Sequence, residues 1–388
     1  MLNFFEILQM IAFGFSLSSS SEVEATYTRG HDPVDNVIPA LERKIENMMK
    51  VQHVPGMAVA IVAPDRVVYL KTFGVKQLGR PEKVLPSTLF QMASLSKPIH
   101  ATMMAILQER GKLSFHDPVN YYIPDFKIRN GGKPLRICHL MSHSTGVLNH
   151  GFDGQIQAFI PYERIVSRLK KVPVYSPPGT HFDYNNAMYG LVGEIISKAT
   201  GKSVEQALHD ELFSPLKMNH ASVGYQALLQ SSDRAYPHMP NGRGRYVPAD
   251  HYSRAYYAVP AAGGVNASVQ DLVPFLQLYV GKKFNFVSNH SLQSLTHPYV
   301  KNTKAVGALQ VRQSQVINPA YCLGWQSMTY ANQKVIYHQG HLKGFRHFMG
   351  YKPNDVGIVV LSNADRKHAA KIALAFFDLY NNELNKSR

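Results

Sequence analysis

Between Val34 and Lys50 apolar residues recur at three- and four-residue steps: Val34, Val37, Ile38, Leu41, Ile45 and Met48. That spacing predicts an amphipathic helix. The pattern changes at Gly56. The runs Gly56-Met-Ala-Val-Ala-Ile-Val62 and Val67-Val-Tyr-Leu70 are almost wholly apolar and flank Pro64-Asp-Arg66, which predicts a hairpin of buried strands. From about residue 90 to 290 the patterns are mainly helical, broken by loops such as Ser176-Pro-Pro-Gly-Thr180 and Met239-Pro-Asn-Gly-Arg-Gly244. Strand patterns return at Lys334–His338, Phe345–Met349 and Gly357–Leu361, and a last amphipathic helix runs from about Lys367 to Leu384. No repeat of solenoid or propeller period is present.

Strands at both ends therefore bracket a helical middle. Successive hairpin-like strands imply an antiparallel sheet. The expected fold class is α+β: an antiparallel sheet flanked by N- and C-terminal helices, with an inserted all-helical lobe. The sheet lobe takes about residues 34–88 and 295–388, and the helical lobe about 89–294. A cleft between the two is the expected place for a site.

The 388 residues carry 41 Lys+Arg against 26 Asp+Glu, a net charge of +15. The basic residues are scattered, with the densest cluster, Arg164 to Lys171, on one helical face. Without a basic tail, zinc-finger spacing or an aromatic-plus-basic strand, nucleic acid is not expected as a partner. A cell-envelope surface or an anionic substrate fits the charge better. The two cysteines, Cys138 and Cys322, cannot form a disulfide scaffold and are read as buried thiols, with a pairing left open. Residues 1–25 read as a signal peptide, with an apolar stretch from Ile7 to Leu17 and Val23-Glu-Ala25 as a small-x-small cleavage site. Glu6 and the lack of Lys or Arg before the apolar stretch count against it. The expected location is the periplasm or cell envelope.

The chemistry rests on three short patterns. Ser-x-x-Lys occurs three times, beginning at Ser94, Ser167 and Ser214. A lysine one helical turn after a serine shares its face, and burial could make it a base. Ser94 precedes the apolar run Ile99–Leu107, with Pro98 in the first turn where proline is tolerated. Ser167 lies in a charged stretch and Ser214 precedes a proline, so Ser94-Leu-Ser-Lys97 is the candidate. Tyr-x-Asn also occurs three times, at Tyr184, Tyr330 and Tyr380. Tyr184-Asn-Asn186 alone joins a Pro/Gly loop to a long apolar helix, where phenol and amide could converge on one substrate. His338-Gln-Gly340 is the one His-x-Gly in the chain and ends a strand pattern. Gly340 would let backbone approach a ligand, and strand-edge N–H groups there could bind an oxyanion.

In this order and spacing the three patterns resemble the serine β-lactamase and penicillin-binding protein superfamily, nearest its class C β-lactamase and D-alanyl-D-alanine carboxypeptidase branch. Further stretches are similar to that family: Gly111–Val119, Tyr122–Phe126, His139-Leu-Met-Ser-His-Ser-Thr-Gly146, Ala262–Val265 with Asp271-Leu272, and Leu323-Gly-Trp325. The resemblance covers roughly Val34 to Leu384. It implies Ser94 as acylated nucleophile, Lys97 as its base, Tyr184 as proton donor to the leaving group and Asn186 on the substrate amide. His338 and Gly340 would border the substrate, and the N–H groups of Ser94 and His341 would form the oxyanion hole. The implied reaction is hydrolysis of β-lactams or related amides, with no cofactor. This chain lacks the branch's Lys-Thr-Gly, and histidine is cationic only below about pH 6.5, so a substrate carboxylate would be held less firmly at His338.

Alternatives on the same scaffold are a D-alanyl-D-alanine carboxypeptidase or D-amino-acid peptidase and a carboxylesterase. Outside the enzymes stands a penicillin-binding module that scarcely turns over. A metal site is not expected: His139 and His143, and the group His338, His341 and His347, lack carboxylate or cysteine partners at ligand spacing. His139 and His143 are read as structural, hydrogen-bonded in a turn.

Overall fold

A computed structural model describes residues 32–386 apart from 129–131, 282–283, 303, 306–308 and 310–314. The leader assigned to residues 1–25 lies outside the described residues. The first strand, β1 (Gly56–Val62), is buried at every position, which explains its unbroken apolar run. Ala58, Ala60 and Val62 face one core, while Met57, Val59 and Ile61 face another. Both faces of the sheet are covered, so neither set of alternating positions can be polar.

β2 (Val67–Gly74) completes the hairpin. Four short strands follow at β3 (Phe90–Gln91), β4 (Ser222–Val223), β5 (His238–Pro240) and β6 (Tyr246–Pro248), then β7 (Val265–Ala267). β8 (Val300–Lys301), β9 (Val316–Tyr321), β10 (Gln326–Tyr330), β11 (Gln333–Leu342), β12 (Phe345–Tyr351) and β13 (Gly357–Ser362) close the series. The large sheet has the order β2-β1-β13-β12-β11-β10-β9-β8. Its pairings are all antiparallel, with Met57 opposite Ser362 and His338 opposite Met349. Thus the first hairpin docks on the last strand, and one sheet joins both ends of the chain.

The outer face packs against helices Pro33–Val51 and His368–Lys386. The spacing of Val34, Val37, Ile38, Leu41 and Ile45 puts all five in that interface. Leu41 and Ile45 are fully buried, each worth about 1.5–3 kcal/mol relative to exposure. The inner face packs against the rest of the chain, including Val269–Val280. That helix opens on a reciprocal cap: Ser268 Oγ accepts from the Asp271 N–H, while Asp271 accepts from the Ser268 N–H at 2.8 Å.

Two features differ from the sequence expectation. The stretch 89–294 is not wholly helical: β3, β7 and β4 form a small sheet, β5 pairs with β6, and Val269–Val280 lies on the large sheet. Strands of two or three residues are too short to show a period. The large sheet also extends through β8–β10, where burial does not alternate because β9 and β10 meet at an irregular register.

Cys138 and Cys322 are buried free thiols, the first 3.1 Å from the Tyr299 hydroxyl and the second 3.4 Å from Ser327 Oγ. Among the described residues, no helix is long and apolar enough to cross a membrane.

Candidate active site

Ser94 sits in a tight turn, Ala93–Leu95, between β3 and helix Ser96–Glu109. Ala93, immediately before it, has φ of 50°. A residue with a Cβ is strained there, and buried packing holds it in place. Lys97 lies in the first turn of the helix, as its spacing from Ser94 predicts, and is fully buried.

The Lys97 amine has three neighbours within hydrogen-bond reach. Asn186 Oδ1 and the Ala262 carbonyl each lie 2.8 Å from Nζ, and Ser94 Oγ lies at 3.2 Å. Burial drives the lysine well below its usual pKa, and Asp153 only partly opposes that. Tyr184 approaches Ser94 from the other side, its phenol donating to Oγ at 2.8 Å. Its ring lies 4.7 Å from Nζ. Burial is the main cause that raises the phenol above its usual range, so Tyr184 is a neutral donor.

Tyr184 and Asn186 flank the cap of helix Asn186–Thr200, where the Asn185 side chain accepts from the Met188 N–H. This junction brings phenol and amide to one point, as the sequence predicts. The amide, however, is engaged within the protein. Asn186 Oδ1 accepts from Lys97, and Nδ2 donates to both oxygens of Asp153 at 3.0 and 3.2 Å. Asn186 thus supports the lysine, where the sequence reading placed it on the substrate. Asp153, absent from that reading, also meets His150 Nδ1 at 2.8 Å. Its clue was a His-x-x-Asp spacing in a loop without period.

His139 and His143 are structural, as expected. His139 Nδ1 accepts from the Arg136 N–H at 3.1 Å, and His143 Nδ1 from the Asn185 N–H at 3.1 Å. His143 also stacks against the Tyr184 ring, with centroids 4.0 Å apart. The other copies of the motifs are elsewhere: Ser167 donates to the Arg164 carbonyl, Tyr330 binds Asp378 and Tyr380 binds Asp355. Asp233 in the Ser231–Asp233 loop accepts from Ser87 and Thr88.

The third pattern needs one correction, at Gly340, and one sharpening, at His338. His338 is not a cation. Burial, then the nearby Lys97, pushes it down to about 3, and its ring is fixed by Tyr321 at 2.9 Å and the Gln339 carbonyl at 2.8 Å. Gly340 serves packing, not ligand approach: a Cβ there would stand 2.5 Å from the Met92 carbonyl oxygen. The missing side chain lets β11 lie against the turn that carries Ser94. Gly340→Ala is therefore expected to cost about 1–3 kcal/mol by overpacking. Denaturant unfolding checks this; an unchanged midpoint would show that strand and turn separate freely.

β10 begins with Gln326 opposite Tyr337, so among the described residues His338–Leu342 have a paired strand on the β12 side alone. The open edge borders a cavity of about 350 Å³ lined by Ser94, Asp153, Tyr184, Asn186, His338 and His341, among others. His341 directs its ring to Asp365 at 3.1 Å. His347 binds the Gln91 carbonyl, so the three histidines of this region point to three different partners. Among the described residues, no group of His, Cys, Asp or Glu is arranged to hold a metal ion.

Residues 41–379 match the family model described as Beta-lactamase. The chain is 25% identical over 334 residues to Protein flp of Staphylococcus aureus, covering 84% of this chain and 63% of that protein. It is 25% identical over 354 residues to Unguisins hydrolase ungD of Aspergillus violaceofuscus, covering 83% and 60%. The chain thus spans less than two thirds of the length of these curated relatives. Among solved structures, the octameric penicillin-binding protein homologue from Pyrococcus abyssi is similar at a TM-score of 0.77 and 26% identity, over 90% of this chain and 78% of that one. EstCE1, a hydrolase with promiscuous acyltransferase activity, shares the fold at a TM-score of 0.70 and 17% identity, over 90% and 100%.

Proposed function

The chain belongs to the Beta-lactamase family, and on that premise we propose that it is a serine hydrolase working through an acyl-enzyme on Ser94. One observation carries this reading: the hydrogen-bond arithmetic of Lys97. A neutral amine has two N–H donors and one lone pair. Two acceptors at 2.8 Å take the donors, which leaves the lone pair for Ser94 at 3.2 Å. Lys97 then removes the Ser94 proton as Oγ attacks the substrate carbonyl. Tyr184 passes a proton to the leaving group and is reprotonated from the Lys97 ammonium. The N–H groups of Ser94 and His341 hold the developing oxyanion. Water then attacks the acyl carbon while the neutral Lys97 takes its proton, relayed by the Tyr184 phenol; that proton passes to Ser94 Oγ as the acyl C–O bond breaks, and the acid leaves.

β-Lactams and related amides are one substrate class for this machinery, as in class C enzymes. His338 favours a second reading, a carboxylesterase, because a neutral buried imidazole gives no cation where Lys-Thr-Gly would supply one to a carboxylate-bearing β-lactam or D-alanyl peptide. Turnover of a chromogenic cephalosporin, a p-nitrophenyl ester and a D-Ala-D-Ala peptide by one preparation ranks the three. The ester is expected to exceed the cephalosporin and the peptide in kcat/KM by about tenfold or more, the weight of one charge-assisted contact. The reverse order would restore the β-lactam as first choice. Export to the periplasm or cell envelope belongs to the same proposal, supported by the apolar stretch Ile7–Leu17.

A further inference from the structure

One loop, residues 148–153, holds all three residues of Tyr184-Asn-Asn186. The His150 N–H donates to the Tyr184 carbonyl at 2.7 Å, and Asn185 Nδ2 donates to the Leu148 and Gly151 carbonyls at 3.0 and 3.2 Å. Asn186 Nδ2 is met by both oxygens of Asp153. The backbone is strained on the way: His150 and Phe152 have φ of 56° and 71°, in the left-handed region that a Cβ disfavours. At Gly151, between them, a Cβ would stand 3.0 Å from the Leu148 carbonyl oxygen. Strain of this kind persists only where the surroundings demand one geometry. Asp153 ends the loop with its side chain 14% exposed and its carboxylate against Asn186.

The two ends of a side-chain amide have the same size, so its neighbours decide which end faces where. A carboxylate only accepts, and Asp153 therefore draws Nδ2 to its own side. Oδ1 is left facing Lys97 at 2.8 Å, where it takes one of the two N–H donors of the neutral amine. The flipped amide would defeat the base. Nδ2 would then occupy the lysine lone pair, and the two donors would go to the Ala262 carbonyl and to Ser94 Oγ. A lysine that donates to Ser94 cannot take its proton.

We propose that Asp153 is a positioning residue for acylation: it fixes the Asn186 amide with Oδ1 toward Lys97 and so reserves the lysine lone pair for Ser94. This rests on the acyl-enzyme reading of Ser94 and adds what keeps its base in the productive arrangement. Asp153 also favours the lysine ammonium by its charge alone, an effect that needs no amide. The two roles differ in whether Asn186 must be present.

The rate at which a neutral alkyl fluorophosphonate labels Ser94 tests this role, because Ser94 must lose its proton while the departing fluoride needs none from Tyr184. Asp153→Ala is expected to slow labelling by about tenfold or more, the weight of one hydrogen bond to a charged group. Asp153→Asn keeps an acceptor of the same size and should restore the rate to within about threefold of wild type. Should Asp153→Ala fail to fold, Asp153→Ser, whose hydroxyl stops short of the amide, carries the same expectation. In the Asn186→Ala background, removal of Asp153 should change the rate by about twofold or less, since the residue through which it acts is gone. Three results overturn the assignment: a wild-type rate in Asp153→Ala, an Asp153→Asn as slow as Asp153→Ala, or a loss of about tenfold that persists without Asn186. Any of these beside a labelled wild type refutes the positioning role alone. An unlabelled wild type refutes the acyl-enzyme reading and this role with it.

Discussion

Ser94→Ala is expected to lower kcat/KM toward any ester or amide substrate by about 10⁴-fold or more while leaving the fold intact. The loss is large because the remaining groups have nothing to act through. Lys97 stays in place with its lone pair, and Tyr184 keeps its proton, but no atom is left to form a bond to the acyl carbon. Water would have to enter and be oriented at the same point. The structural cost is small: Ser94 is partly exposed, and the Tyr184 phenol that donates to it borders an open cavity where water can replace Oγ. The change in stability should stay within about 1 kcal/mol, the net value of one hydrogen bond. Turnover measured beside the melting temperature checks both halves. Residual activity above about one per cent would show that another group carries the chemistry.

Lys97→Met should lower kcat by about 10³-fold, the usual contribution of a positioned general base. Methionine keeps the length of the buried stem and removes the lone pair. It also strands two acceptors, Asn186 Oδ1 and the Ala262 carbonyl, so some stability is lost. A second readout separates base from brace. Burial holds the folded-state pKa of Lys97 below its unfolded value of about 10.4. Between those two values the unfolded chain binds one more proton than the folded one, so stability rises with pH through that window and falls as pH drops. Wild type should therefore gain stability from pH 7 to 9 relative to Lys97→Met. The buried tyrosines, whose pKa values are raised, act in the opposite sense only as pH nears about 10. An equal slope in both proteins would mean that Lys97 is charged in the folded state and cannot be the resting base.

The sequence pattern reached the layout of the sheet because both faces are covered. β1 and β13 show continuous apolar runs, and helix Pro33–Val51 carries a clean apolar stripe. It reached Ser94, Lys97 and Tyr184 although each motif recurs three times, because the helix-opening contexts singled out one copy. What it missed depends on contacts between distant segments. The acceptor from Ala262 is a backbone atom and leaves no mark in residue type. Asp153 gains its role only when its loop folds over the start of helix Asn186–Thr200. His338 was placed at the correct strand and borders the cavity, but its neutral state was not legible, nor was the packing role of Gly340. Whether a histidine is charged depends on burial and on Lys97 beside it, and whether a glycine serves ligand or packing depends on Met92. Arg346 is one charged residue in a strand until Asp365, from the loop after β13, fixes it.

The most direct test of the whole account is the intact mass of the protein quenched during turnover of a p-nitrophenyl ester, followed by peptide mapping. The account predicts an increment equal to the acyl group, confined to the peptide containing Ser94, that disappears as substrate is exhausted. An increment that persists would mark a binding module without turnover. Product formation with no acylated species, or an acyl group mapped to another residue, would contradict the Ser94 mechanism.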